Sequence, residues 1–216
     1  FLNVGTHAYK FIVDGEWILD PVNKVTRPDG SGNFNSFMGF GDTIYFKLDG
    51  YLQAKSVLLS GNFNAWNTAE LSMSRTKTGW EIPYVLAPGN YEYKFIVDGR
   101  WMADPANPLM VGDNDHRNSL RIIQPNYTFV LKKYPDAKQV LLSGSFNNWA
   151  DPGYVMQKKD GVWTFPLYFP AGKYTYKFVV DGKWITDPDN KLYEENEFNT
   201  GNSVLWMEPG MTLFER

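Results

Sequence analysis

Apolar and polar residues alternate in short runs along most of the chain, and no stretch sustains the 3.6-residue period of an amphipathic helix. Over 91–97, Tyr91, Tyr93, Phe95 and Val97 fall on one side of a period-two pattern, with Glu92, Lys94 and Ile96 on the other. Similar runs rich in Val, Ile, Tyr, Phe and Thr are broken by Gly, Pro, Asn and Asp, a pattern that predicts short strands of an all-β sandwich. Asp98-Gly99 follows the run directly and predicts a two-residue type I′ turn, since Gly accepts positive φ. That turn would set Val97 opposite Arg100, Ile96 opposite Trp101, Phe95 opposite Met102 and Lys94 opposite Ala103. Cross-strand partners share a face. Trp101 is therefore expected beside Ile96 and Lys94, on the side away from the Tyr/Phe/Val row.

The pattern repeats. Tyr9-Lys-Phe-Ile-Val-Asp-Gly-Glu-Trp17 returns as Tyr93-Lys-Phe-Ile-Val-Asp-Gly-Arg-Trp101 and again as Tyr176-Lys-Phe-Val-Val-Asp-Gly-Lys-Trp184, each leading to an Asp-Pro pair and an Asn. Leu58-Leu-Ser-Gly-Asn-Phe-Asn-Ala-Trp66 returns as Leu141-Leu-Ser-Gly-Ser-Phe-Asn-Asn-Trp149. Asn-Ser before an apolar run occurs at Asn35, Asn118 and Asn202. A period of about 84 residues makes each copy a small domain rather than a solenoid unit. In this register Phe1 aligns with Val85, so 1–41 reads as the C-terminal half of a first copy, expected to need completion by upstream sequence, another segment or another chain. Residues 42–124 and 125–210 read as complete copies. Residues 211–216 resemble the opening strands 42–47 and 127–132, and read as the start of a further copy or a strand completing the first.

Composition narrows the chemistry. The 216 residues contain no cysteine, which removes disulfides, thiolate metal sites and a cysteine nucleophile, and only two histidines. A net charge of −3 with no basic patch argues against a nucleic-acid partner, and no apolar run is long enough for a membrane helix. The unusual figure is the 17% of aromatic residues, which calls for an explanation. An outward-facing Trp beside a Lys in every copy suggests a binding surface.

Taken together, Ser143-Gly-Ser-Phe-Asn-Asn-Trp149, Tyr176-Lys-Phe-Val-Val-Asp-Gly-Lys-Trp184 and the Asp-Pro pair resemble family-48 carbohydrate-binding modules. Among these they are similar to the glycogen-binding domain of the AMP-activated protein kinase β subunit. The resemblance implies tandem immunoglobulin-like, early-set β-sandwiches that bind α-1,4-linked glucan, such as glycogen, starch or maltooligosaccharides, without cleaving it. It implies glucan-binding roles in the third copy for Trp149, Lys177, Trp184, Phe198, Thr200 and Asn202, and in the second for Trp66, Lys94, Trp101 and Asn118. The first copy keeps Lys10, Trp17 and Asn35 but has no counterpart of the first Trp. The second copy reads Asn114, Asp115, His116 and Arg117 where the family has an apolar residue and a Thr, so weaker binding or a preference for another chain end is expected there. A catalytic domain or enzyme could be the partner that such modules tether to the polymer. No cofactor or metal is expected, and the compartment stays open.

These residue types suit a sugar. A pyranose face presents C–H bonds that match a flat indole, and its rim presents hydroxyls that match ammonium and amide groups. Other residues read as structural. Trp80 and Trp163 fall on core registers, and Trp206, at the position of Ile122, reads as core too. The turn aspartates Asp14, Asp98 and Asp181, and Asp20, Asp104 and Asp187 before Pro, repeat because turns repeat, which speaks against a carboxylate pair for glycoside hydrolysis. Asp113-Asn114-Asp115 lacks the trailing Glu of an EF-hand, and Asn126-Tyr-Thr128 is a lone sequon. The alternative reading is a structural or protein-interaction array of early-set sandwiches whose Trp faces bury against neighbours.

Overall fold

The computed structural model describes residues 2–112 and 116–209, and among these the regular elements are strands and isolated 3₁₀ turns. Two compact units divide the chain, Phe1–Pro108 and Leu109–Arg216. The division falls inside the stretch 42–124. Residues 113–115 and 211–216, on which the calcium and further-strand expectations fell, lie outside the described residues.

In Leu109–Arg216, two antiparallel sheets enclose one core. Tyr127–Leu131, Val162–Leu167 and Gln157–Lys159 form the first, in that order. The second runs Tyr154–Val155, Val140–Gly144, Gly172–Val180, Asn202–Met207, Tyr193–Glu194, and Lys183–Ile185 adds a hairpin to Gly172–Val180. Alternate residues of both sheets point inward. Phe129, Leu131, Phe165 and Leu167 meet Leu142, Tyr176 and Phe178, all essentially without solvent contact. Trp163 is buried with them and donates its indole N–H to the Tyr134 carbonyl at 2.9 Å, so the one polar group of the ring is satisfied.

The other unit repeats this plan with Thr43–Asp49, Gly79–Val85 and Ser74–Arg75 in one sheet, while Gly89–Val97 pairs Val57–Gly61 and the hairpin strand Arg100–Met102. Trp80 is buried here and donates to the Tyr51 carbonyl at 3.1 Å. The retained half of the first copy, Gly5–Tyr9, Phe34–Phe40 and Thr26–Pro28, forms its own three-stranded sheet and docks on the second copy. Thr6 donates its hydroxyl to the Val85 carbonyl at 2.9 Å. Arg27 lies over the Phe37 and Tyr84 rings, 4.8 and 5.1 Å from their centroids, and reaches Glu70 at 3.5 Å. Gly39 crosses Val85 so closely that a Cβ would stand 2.7 Å from its Cγ2. The hairpin Phe11–Val13 and Glu16–Ile18 has no such cover: Phe11 is 46% exposed, whereas its counterparts Phe95 and Phe178 are fully buried.

The expected Asp-Gly turn is present, with three of the four expected pairs in the ladder; the strand ends at Met102, before Ala103. Asp98 and Gly99 both take positive φ, and the ladder sets Val97, Ile96 and Phe95 opposite Arg100, Trp101 and Met102. Trp184 faces Val179, and Trp17 faces Ile12, in the same way. The turn aspartates accept backbone N–H groups: Asp98 from Lys55 and Ser56, Asp181 from Lys138 and Gln139, at 2.8–3.0 Å. The Asp-Pro aspartates lock a core tyrosine instead. Tyr176 donates to Asp187 at 2.6 Å and accepts from Asn190 at 3.1 Å, and the same trio recurs as Tyr93, Asp104, Asn107 and Tyr9, Asp20, Asn23. Burial, then the Asp187 hydrogen bond, push the Tyr176 phenol far above its ordinary range. Asp187→Ala would leave that phenol without its acceptor, and urea unfolding should read a loss of about 1–3 kcal/mol.

Two expectations change. Trp206 is 53% exposed, not core. Its neighbours Leu205 and Met207 turn into the core, so the strand's alternation sends Trp206 to the opposite face. The sequon residue Asn126 binds the Phe169 backbone through both ends of its amide, at 2.8 Å each, which gives it a structural role.

Candidate functional site

The third-copy site starts from a backbone constraint. After Val140–Gly144 the chain makes one 3₁₀ turn, Ser145–Asn147, and then Asn148 and Trp149 take left-handed φ of 53° and 56°. Each such conformation costs a non-glycine residue roughly 1–2 kcal/mol, so something must hold it. The Trp149 N–H donates to the Gly144 carbonyl at 2.9 Å, and the Asn147 side chain accepts from the Gly144 N–H, also at 2.9 Å. Gly144 is itself obligatory, because a Cβ there would stand 2.4 Å from the Thr175 carbonyl oxygen. The turn aims Trp149 over the sheet, half-buried, with its ring centroid 6.4 Å from that of Trp184 and the two planes inclined by 43°. Trp184 is 40% exposed.

Trp149, Lys177, Trp184, Phe198, Thr200 and Asn202 line one groove of about 690 Å³. Lys177 enters from Gly172–Val180, opposite Ser143, and is buried apart from its tip's route to the groove. It donates to the Thr200 hydroxyl at 2.6 Å, and burial pulls its ammonium below the usual lysine range. Phe198 stands out at the rim, 73% exposed.

The groove also contains Asn196 and Glu197, which the sequence reading missed. Asn196 organises the loop. Its carboxamide oxygen accepts from the N–H groups of Phe198 and Thr200 at 3.1 and 3.0 Å, and its NH₂ donates to the Thr200 hydroxyl and the Asn202 side-chain carboxamide oxygen, each at 3.0 Å. The repeat register places Gly112 at this position in the second copy, so repetition could not flag it. The only signal was its spacing, four residues before Thr200 and six before Asn202. If the loop serves the ligand, Asn196→Ala should weaken binding roughly fivefold, about 1 kcal/mol, with little change in melting temperature; calorimetric titration beside a melt checks both.

The second copy builds the same turn. Ala65 and Trp66 take φ of 52° and 58°, Trp66 N–H donates to the Gly61 carbonyl at 2.8 Å, and the Trp66 and Trp101 centroids lie 6.2 Å apart at 54°. Lys94 is half-buried opposite Ser60. Asn118, half-buried, opens the strand Asn118–Ile123 of the other compact unit; Asn114 and Asp115 lie outside the described residues. In the first copy Trp17 is 67% exposed, and Lys10 and Asn35 are half-buried. Among the described residues no cluster of three or more His, Asp or Glu side chains could hold a metal ion.

A family model described as the glycogen recognition site of AMP-activated protein kinase matches residues 1–45, 45–129 and 127–210. Protein FLOURY ENDOSPERM 6 of Oryza sativa subsp. japonica is 47% identical over 68 residues, 31% of this chain and 12% of that protein. Protein PTST homolog 2 of Arabidopsis thaliana is 42% identical over 71 residues, 32% of this chain and 13% of that protein. The human 5′-AMP-activated protein kinase subunit beta-2 is 35% identical over 91 residues, 42% of this chain and 33% of the subunit. The matched part thus spans a third or less of each of these relatives.

Proposed function

Because the chain belongs to the family of the AMP-activated protein kinase glycogen recognition site, matched three times along its length, we propose that it binds α-1,4-linked glucan without cleaving it and tethers a larger protein to the polymer. The observation that carries the reading is the groove in which two inclined indoles, Trp149 and Trp184, stand beside the Lys177 ammonium and the Thr200 and Asn202 side chains. Inclined plates suit two glucose units of a chain that curves, whereas coplanar plates would suit a flat one. Phe198 closes the rim as an apolar clamp, and Lys177 retains N–H groups beyond the one given to Thr200 for sugar hydroxyls.

Each stack contributes about 0.5–1.5 kcal/mol beyond the area it buries. One site then binds at roughly −4 to −6 kcal/mol, tens of micromolar to millimolar. The second copy, with its own Trp pair and Lys94, adds effective concentration on the same polymer, worth on the order of 10² if the two sites can engage together. Retardation in a native gel containing amylopectin tests the whole proposal. Mobility should fall steeply as polymer is added, and unchanged mobility at high polymer would refute it. Trp66→Ala with Trp101→Ala should leave the third copy's affinity for a short maltooligosaccharide intact while cutting polymer retardation at least tenfold.

A further inference from the structure

The late loop of the first copy is built like that of the third. The register that aligns Lys10 with Lys177, Trp17 with Trp184 and Asn35 with Asn202 sets Asp29 at the position of Asn196 and Ser31 at that of Phe198. The hydrogen bonds agree. The Asp29 carboxylate accepts the N–H groups two and four residues on, from Ser31 at 2.8 Å and Asn33 at 3.1 Å, as Asn196 accepts those of Phe198 and Thr200. The Ser31 N–H first, then the Asn33 N–H and the Lys10 charge, hold Asp29 below the usual carboxylate range. Tyr9 pairs Ser36 as Tyr176 pairs Ser203, so Lys10 and Asn35 stand side by side like Lys177 and Asn202. The first copy thus presents one indole, the ammonium, the Asn and the organised loop of a groove, and lacks the wall that Trp149 gives the third.

A turn of the second copy stands against that loop. Gly30 takes a φ of 83°, and a Cβ there would come within 3.2 Å of the Asn67 side-chain oxygen. Arg27 reaches Glu70 at 3.5 Å, so 27–30 and 67–70 run past each other in opposite directions. Asn67 directly follows Trp66 and is tied into its turn: its N–H donates to the Asn64 carbonyl, and its own carbonyl accepts from the Asn64 side chain, both at 3.0 Å. The turn that aims Trp66 at Trp101 therefore borders the groove side of the first copy. We propose that Trp17, Lys10 and the 29–33 loop form a further subsite of the second copy's glucan site, so that one long α-glucan chain lies across Trp66, Trp101 and Trp17. This inference rests on the glucan reading above. The ligand follows from the chemistry, an open indole for a pyranose face with an ammonium and the Asn35 amide for its hydroxyls. A sugar too short to leave the Trp66–Trp101 pair gains nothing from the subsite, so the first copy makes the second selective for chain length.

The test uses the whole chain carrying Trp149→Ala and Trp184→Ala, which silences the third copy. Calorimetric titration compares maltotetraose with maltododecaose before and after Trp17→Ala, a change at a ring that is 67% exposed and so bears little on folding. The variant should bind maltododecaose at least ~3-fold more weakly, the value of one ring stack, and maltotetraose as before. Equal losses for the two sugars, or no loss for the longer one, overturn the proposal. Binding of neither sugar before Trp17 is changed would overturn the glucan reading and this inference with it. A second measurement reads the loop itself. The chain has no cysteine, so Ser31→Cys introduces a single thiol at an exposed position. Maltododecaose should slow its reaction with an aromatic disulfide reagent several-fold and maltotetraose should not. An unchanged rate with the longer sugar bound, or equal slowing by both, overturns the proposal.

Discussion

Replacing Trp149 and Trp184 together by alanine is expected to abolish maltoheptaose binding by the third copy while its fold survives. Each indole removes a stack worth about 0.5–1.5 kcal/mol and the apolar area it covers, at about 25 cal/mol per Å². Either single replacement should therefore cost about 1.5–3 kcal/mol, a 10- to 150-fold weaker complex. Together the two cost about 3–6 kcal/mol, most or all of the roughly 4–6 kcal/mol proposed for a whole site, so binding should fall below a measurable level. Stability should move little, because Trp184 is 40% exposed and Trp149 half-buried, and neither belongs to the core around Phe129. Calorimetric titration of a chain already carrying Trp66→Ala and Trp101→Ala isolates the third copy. Retained binding there would break the stacking proposal without touching the fold.

What could be read from the chain alone followed from local rules. Period-two alternation and Asp-Gly turns dictated the Gly89–Val97 and Gly172–Val180 strands, their hairpins and the face on which Trp101 and Trp184 stand. Repetition extended that reading to every copy. It failed where position alone misled: Trp206 shares its register with Ile122, but Ile122 is itself only partly buried, packed against the cluster of Phe129 and Phe165, and Trp206 is 53% exposed. Asn196 escaped for a different reason. A loop's hydrogen bonds depend on φ values such as the 53° of Asn199 and the 64° of Gly201, which no periodicity encodes. The six third-copy side chains named from family resemblance line one groove, yet the strained backbone that aims Trp149 into it, two left-handed residues in succession, left no mark in the sequence beyond an Asn-rich turn.

Lys177→Met should separate binding from stability in opposite directions. The lysine is buried in the sheet, and burial lowers its folded-state pKa below the 10.5 of a free side chain. The unfolded chain thus holds the proton more tightly than the folded one. At neutral pH, below both values, the group works against folding; its contribution to stability rises with pH between the depressed value and about 10.5 and is level beyond it. A methionine of similar length removes the desolvated charge, so the variant should be as stable as the parent or more so in urea, with a flatter rise in stability at alkaline pH. The Thr200 hydroxyl loses one donor, at 2.6 Å, but keeps Asn196. Affinity should go the other way. A hydrogen bond from a charged donor contributes about 1.5–3 kcal/mol, so maltoheptaose should bind roughly 10- to 150-fold more weakly. A stable variant that binds as well as the parent would remove Lys177 from the ligand's partners. A destabilised one would show that the ammonium serves the Thr200 loop first, and a conservative Lys177→Arg would then separate loop support from sugar contact. A desolvated cation kept at the floor of an open groove, against its own cost to folding, is what a site selected for polar rims of ligands would retain.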